Sequence, residues 1–264
     1  MSRASATHLV LIPSYNTGVR LLQTVREARQ AWNPVWVVVD GSTDGSEAGV
    51  LRLAAPGSGV RVMTLPDNRG KGAAILHGLR EAHVAGFTHV LSMDADGQHP
   101  AGHIPAFMAA SRAAPDAMIL GVPMFGDDAP NLRRRGRWVS NWWANLETLW
   151  GGIGDSLFGF RVYPLSELRA VMEGTRWMRR FDFDPEAAVR LYWRGVRPVN
   201  LPAPVLYLRP EEGGVSHFDY LRDNARLTWM HSRLVIGGLR RLPLLLRRRR
   251  TAPARSAALL TPER

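Results

Sequence analysis

Val90-Leu91-Ser92-Met93-Asp94-Ala95-Asp96-Gly97-Gln98-His99-Pro100 is the stretch around which the chain is organised. A short, mostly apolar run leads into two acids one residue apart, then a glycine, an amide and a proline. With neither face polar, the run predicts a buried strand. The acids then stand where that strand ends, and in open α/β sheets ligands bind just beyond the carboxyl ends of the strands. Successive strand residues point to opposite faces, but a chain turning at a strand end can bring both carboxylates toward one ion. Two carboxylates and the Gln98 carbonyl are hard oxygen donors suited to Mg2+ or Mn2+ beside a phosphate-bearing ligand. The same spacing also describes an acidic turn capping a helix begun by Pro100, and the stretch alone leaves both readings open.

Working outward, His8-Leu9-Val10-Leu11-Ile12-Pro13 predicts a first strand. Thr17 is expected to cap the helix that follows, with an apolar stripe of Val19, Leu22, Val25 and Ala28. Val35-Trp36-Val37-Val38-Val39 predicts a second strand delivering Asp40-Gly41, and residues 60–65 a third. The turn 66–72 leads into a helix from Ala73 to about Ala85, and residues 117–122 predict a fifth strand. Strand, loop and helix recur about every 25–30 residues, the rhythm of parallel βαβ units. The fold class is therefore α/β, a single Rossmann-like, mostly parallel sheet with helices on both faces. The polar loops after the first four strands converge on one sheet edge.

Beyond Val122 the pattern changes. Arg133, Arg134, Arg135 and Arg137 precede Trp138, Trp142, Trp143, Leu146, Leu149 and Trp150 at helical spacing. That helix is either a core helix with a solvated end or one lying at a membrane surface, tryptophans at headgroup level and arginines on phosphates. A strand from about Gly159, helices over 165–173 and 185–193, and short strands over 196–200 and 205–208 follow. Ser216 is placed to cap a last helix over 218–239. Residues 1–215 are expected to form the main domain and 216–250 a basic, amphipathic helical extension, with a disordered tail over 251–264.

The chain has 34 basic and 23 acidic residues, a formal charge of +11, and Lys71 is its only lysine. Hydrophobic residues make up 45%, which excludes a disordered chain. With no cysteine, disulfide frameworks and thiolate metal sites are excluded. No secretory signal and no apolar run long enough to span a bilayer are expected. The charge admits nucleic acid as a partner, but no base-reading motif accompanies it, so none is expected. Nothing fixes an oligomeric state.

Five segments together resemble inverting glycosyltransferases of family 2, and within them the dolichol- and polyprenol-phosphate sugar transferases. They are Ile12-Pro13-Ser14-Tyr15-Asn16, Val39-Asp40-Gly41-Ser42-Thr43-Asp44, Asn68-Arg69-Gly70-Lys71-Gly72, Asp94-Ala95-Asp96-Gly97-Gln98-His99, and Asp155 through Gly159-Phe160-Arg161. The resemblance implies a GT-A fold, a nucleotide-sugar donor (UDP or GDP) and Mg2+ or Mn2+. It puts Pro13, Tyr15 and Asp40 at the donor's base and ribose, and Asp94, Asp96 and Gln98 at the metal. Val39 replaces the first acid of the usual pair, and Thr17 stands where the subgroup often has glutamate. Lys71 is expected at the donor phosphates.

Two acceptor classes stay open. A lipid phosphate is already anionic and needs arginines more than a base. The resemblance assigns it Arg161 and the segment Arg209 to His217, including Ser216, where His217 replaces a lysine. A hydroxyl acceptor needs a general base, for which Asp155, Asp182 and Asp184 are the candidates. Asp182 and Asp184 also fit helix capping ahead of Pro185. A lipid-linked acceptor, the tryptophan helix and the arginine-rich end together predict a cytoplasmic protein attached peripherally to the inner face of the cell membrane.

Overall fold

Apolar runs without polar alternation form the middle of the sheet. Strands β1 (His8–Ser14), β2 (Val35–Asp40) and β4 (His89–Ser92) are buried at every position, as strands covered on both faces must be. β3 (Val60–Leu65) alternates buried and exposed positions, which suits its place at the sheet edge. The computed structural model describes residues 4–125, 131–205 and 220–251. With β5 (Ala117–Met124), β6 (Arg161–Pro164) and β7 (Arg197–Pro204), the seven strands run in the order β3-β2-β1-β4-β6-β5-β7.

Alternate residues divide into two cores. Leu9, Leu11, Trp36 and Val38 face α3 (Lys71–Val84), α6 (Leu165–Glu173) and α7 (Phe183–Arg194). Val10, Ile12, Val35, Val37 and Val39 face α1 (Arg20–Ala31) and α4 (Ile104–Ala113). The expected α/β sheet with helices on both faces is thus the observed one. α2 (Glu47–Leu51) lies beside α1. α5 (Asn131–Glu147), α8 (Tyr220–Leu239) and α9 (Leu242–Thr251) complete the set. The last two are no loose appendage, since Met230, Leu234 and Leu245 join the first core. The boundary expected at residue 215, the Ser216 cap and the tail beyond Thr251 lie outside the described residues.

The structure departs from the sequence reading in four places. β6 runs antiparallel between β4 and β5, with Ser92 opposite Arg161 and Ile119 opposite Val162. Every other pairing is parallel. Thr17 does not cap α1: its hydroxyl pairs with Ser14 Oγ at 2.7 Å, and the helix begins at Arg20 without a side-chain cap. That later start rotates the apolar stripe to Leu21, Thr24, Val25 and Ala28 and leaves Val19 83% exposed. Finally, β7 continues to Pro204 as one strand, with the rest of 205–208 outside the described residues apart from Val205. Its prolines are tolerated because β7 is an edge strand with a free side.

Candidate active site

Strands β1, β2 and β4 are parallel, so the segments leaving Ser14, Asp40 and Ser92 emerge at one edge. The first two loops are stitched together. Asn16 N donates to Ser42 Oγ at 3.0 Å, Thr43 N to Asn16 Oδ1 at 2.8 Å and Gly18 N to Asp44 Oδ2 at 2.8 Å. Asp40, 2% exposed, accepts from Arg69 N at 3.0 Å and Gly70 N at 2.6 Å. It thereby fixes the turn that presents Lys71. Gly41, at φ +65°, lies under that turn, and a Cβ there would collide with the Asp67 and Asn68 backbone. Pro13 is buried as the next-to-last residue of β1, and Tyr15 is half-buried just beyond the strand.

The centre of the site is an ion cluster. The Lys71 ammonium donates to Asp94 Oδ1 and to Asp184 Oδ2, each at 2.6 Å. Burial alone would lower the Lys71 pKa, but Asp184 and Asp94 more than offset it and hold the ammonium above its ordinary value. For Asp94, burial is likewise outweighed, here by Lys71, and the carboxyl stays below its ordinary value. Asp96 has no such cation against it. Burial, then the Asp94 charge, push it up to about 6. Gly159 leaves the room for this cluster, since a Cβ there would stand 2.7 Å from Lys71 Nζ and 3.0 Å from Asp94 Oδ2. His99 closes it from below. Its Nδ1 accepts from Asp94 N at 2.9 Å, and burial lowers its pKa to about 4, so the ring is neutral.

The antiparallel β6 explains how the next loop reaches the same edge. β6 begins where β4 ends, so the loop 151–160 enters beside Asp94. Asp155 anchors that loop and is 1% exposed. Its Oδ1 accepts from Arg137 Nη1, Phe158 N (both 2.6 Å) and Leu157 N (2.9 Å), and its Oδ2 from Asn141 Nδ2 at 3.2 Å. Arg161, expected at an acceptor phosphate, has no exposed surface. Its guanidinium donates to the Phe158, Asp184 and Asp155 carbonyls and to the Tyr163 hydroxyl, at 2.6–3.2 Å. It braces the loop against α7 from inside. Asp182 accepts from Met178 N and Arg180 N at 3.0 and 2.9 Å, closing the turn before α7, and does not cap the helix. Of the three carboxylates expected as bases, only Asp184 stands at the ion cluster, and its Oδ1 is buried with no hydrogen-bond partner among the described residues. Arg209, Ser216 and His217 lie outside the described residues.

The oxygen donors available to a divalent cation are Asp94, Asp96 and the Gln98 amide. Among the described residues no three His, Cys, Asp or Glu side chains gather into a metal cluster. Two carboxylates still fit Mg2+ or Mn2+ when the ligand's phosphates complete the shell. Asp96, its pKa raised beside Asp94, is a charge that such a cation would compensate.

The sequence profile described as glycosyl transferase family 2 matches residues 9–181, which takes in the whole site up to the Asp182 turn. The chain belongs to glycosyltransferase family 2. This family 2 glycosyltransferase is 33% identical over 207 residues to polyprenol monophosphomannose synthase of Mycolicibacterium smegmatis, covering 76% of this chain and 77% of that one. It is 28% identical over 199 residues to undecaprenyl-phosphate mannosyltransferase of Micrococcus luteus, covering 74% and 81%. In fold it is similar to glucosyl-3-phosphoglycerate synthase from Mycobacterium tuberculosis, crystallised with Mn2+, UDP-glucose and phosphoglyceric acid. The TM-score is 0.62 at 16% identity over 88% of this chain and 78% of that one. The GT-A type of fold expected from the sequence is therefore the fold of this glycosyltransferase.

Sequence reading missed the roles of His99, Gly159, Arg137 and Asn141. Only His99 left a signal: a ring nitrogen five residues past Asp94, across Gly97 at φ +78°, can turn back onto its backbone.

Proposed function

We propose that this enzyme moves a hexose, with inversion, from a UDP- or GDP-sugar to the phosphate of a polyprenyl lipid. The observation that carries the acceptor is the engagement of the candidate bases. Asp155 and Asp182 are committed to backbone and arginine donors, and Asp184 to Lys71. A phosphate oxygen attacks the anomeric carbon without a base, while the bond to the leaving diphosphate breaks on the opposite face. Pro13, Tyr15 and Asp40 bound the donor's nucleoside, Asp40 acting through the turn it holds. Asp94, Asp96 and Gln98 would hold a divalent cation, which when bound neutralises charge building on the diphosphate. Lys71 supplies a further cation at the same place. Arg209, Ser216 and His217 are assigned to the acceptor phosphate, and Arg161 to positioning the loop beside it. The similarity to two proteins named for polyprenyl-phosphate mannosyl transfer supports this acceptor. A lipid-borne acceptor requires the chain to meet a membrane, which we place at the cytoplasmic face.

Asp184 Oδ1, which has no hydrogen-bond partner among the described residues, favours a second reading, in which Lys71 moves aside and Asp184 deprotonates a lipid hydroxyl. Purified enzyme with Mn2+ and a panel of radiolabelled UDP- and GDP-hexoses, mannose included, decides between them. Transfer to polyprenyl phosphate but not to polyprenol is expected, with Asp184→Asn retaining turnover on the phosphate. Transfer only to hydroxyl acceptors would overturn the first reading.

A further inference from the structure

Helix α8 has two apolar stripes where its position calls for one. Met230 and Leu234 are fully buried against the body of the enzyme. On the opposite side Trp229, Ile236 and Leu239 are 58%, 56% and 64% exposed. Trp229 and Ile236 are seven residues apart, so they share one face. A helix facing water carries polar residues there. In α9, Leu245 is buried while Leu242, Leu244 and Leu246 around it are 37%, 42% and 43% exposed.

The segment is also strongly basic. α8 and α9 together, residues 220–251, contain nine arginines and a single acid, Asp223, which pairs with Arg226 at 3.1 Å. Nor does the segment hang free. Arg248 donates to the Tyr192 and Trp193 carbonyls at 2.9 and 2.8 Å, and the Arg241 guanidinium lies 4.8 Å over the Trp193 ring. α9 is thus held against the C-terminal end of α7.

We propose that the outer face of α8 and α9 docks on an anionic lipid bilayer. Apolar side chains enter the headgroup boundary, tryptophan sits at its level and exposed arginines such as Arg240 meet lipid phosphates, while Arg233, Arg241 and Arg248 stay turned to the body of the enzyme. The helix that carries this surface packs on an element of the active site. α8 lies along α7: Arg233 pairs with Glu186 near the start of α7, and Gly237 and Gly238 approach Trp193 near its end. Trp229 is therefore toward the end of α7 that bears Asp184. The inference rests on the proposed function only in that a lipid-borne acceptor gives the docking a purpose.

The test uses the full chain and vesicles that contain no polyprenyl phosphate, so it is independent of glycosyl transfer. Co-sedimentation with phosphatidylglycerol vesicles at low salt is expected. Partitioning should fall at least about tenfold on pure phosphatidylcholine or in 0.5 M salt. The triple variant Trp229→Ser, Ile236→Ser, Leu239→Ser should fall by a similar factor with its melting temperature unchanged. Its turnover on a short, water-soluble isoprenoid phosphate should stay at the wild-type level. Wild-type enzyme remaining in the supernatant, or a triple variant that partitions as wild type does, overturns the proposal. So does a wild-type dimer that the triple substitution converts to monomer without vesicle binding, since the face would then join two copies.

Discussion

A methyl group on Gly159 would press on the Lys71 ammonium and on both Asp94 oxygens. Displacing a charged group at a reacting centre by about 1 Å can cost about 100-fold in rate. Gly159→Ala is therefore expected to lower kcat/KM for the nucleotide sugar about that much, with an unchanged far-ultraviolet circular dichroism spectrum. Wild-type kcat/KM in that variant would show that the ammonium is not needed where it stands. Asp96 sets a pH limit at the same scale. Its carboxyl is protonated below about 6, and a proton there competes with a cation. Mn2+ affinity, measured by electron paramagnetic resonance without donor, should fall about tenfold from pH 7 to pH 5. Asp94 and Asp96 were legible in the sequence because a strand end and its acids are neighbours in the chain. Lys71 and Asp184 lie 113 residues apart, and no local pattern joins them.

Helix α8 is secured by two buried carboxylates, Glu147, which pairs with His231 Nδ1 at 2.8 Å, and Glu186. Glu186, with no exposed surface, accepts from Arg190 on its own helix at 2.7 Å and from both Arg233 terminal nitrogens at 3.0–3.2 Å. The Arg233 guanidinium also lies 4.0 Å over the Trp177 ring. Arg233→Ala removes the planar fork and leaves Glu186 half compensated, which is expected to destabilise the protein by roughly 3 kcal/mol. Denaturant midpoints measure that loss, and amide exchange should rise first in α8. Arg233→Lys keeps the charge without the fork or the stacking and should recover only part. Among the elements, β1, β2 and β4 were readable from mostly apolar runs. The reversal at β6 was not, because four residues buried on both faces carry no sign of direction. That reversal brings the Asp155 loop to the donor edge.

The whole molecule places its two ends of the sheet in different chemistry. Opposite the active edge, His8 and His89 are register partners with rings stacked 4.4 Å apart, and His8 Nε2 lies 3.2 Å from Ser111 Oγ. Burial, then His89, lower the His8 pKa to about 4. The unfolded chain takes up that proton near pH 6.5 and the folded one only near 4, so stability is lost as pH falls through this window. The loss reaches up to about 3 kcal/mol at pH 4. His99 acts in the same sense, and Asp96, raised to about 6, in the opposite one. His8→Gln should therefore flatten, without abolishing, the acid limb of a melting-temperature profile between pH 7 and 4. The ion cluster at the other end has a use outside enzymology. Lys71 is the only lysine in 264 residues, and its amine is clasped and kept protonated by two carboxylates. Amine-directed acylation thus has a single side-chain target, reactive only when Asp94 and Asp184 let go. The rate of labelling at that one residue becomes a clock for how often the site opens.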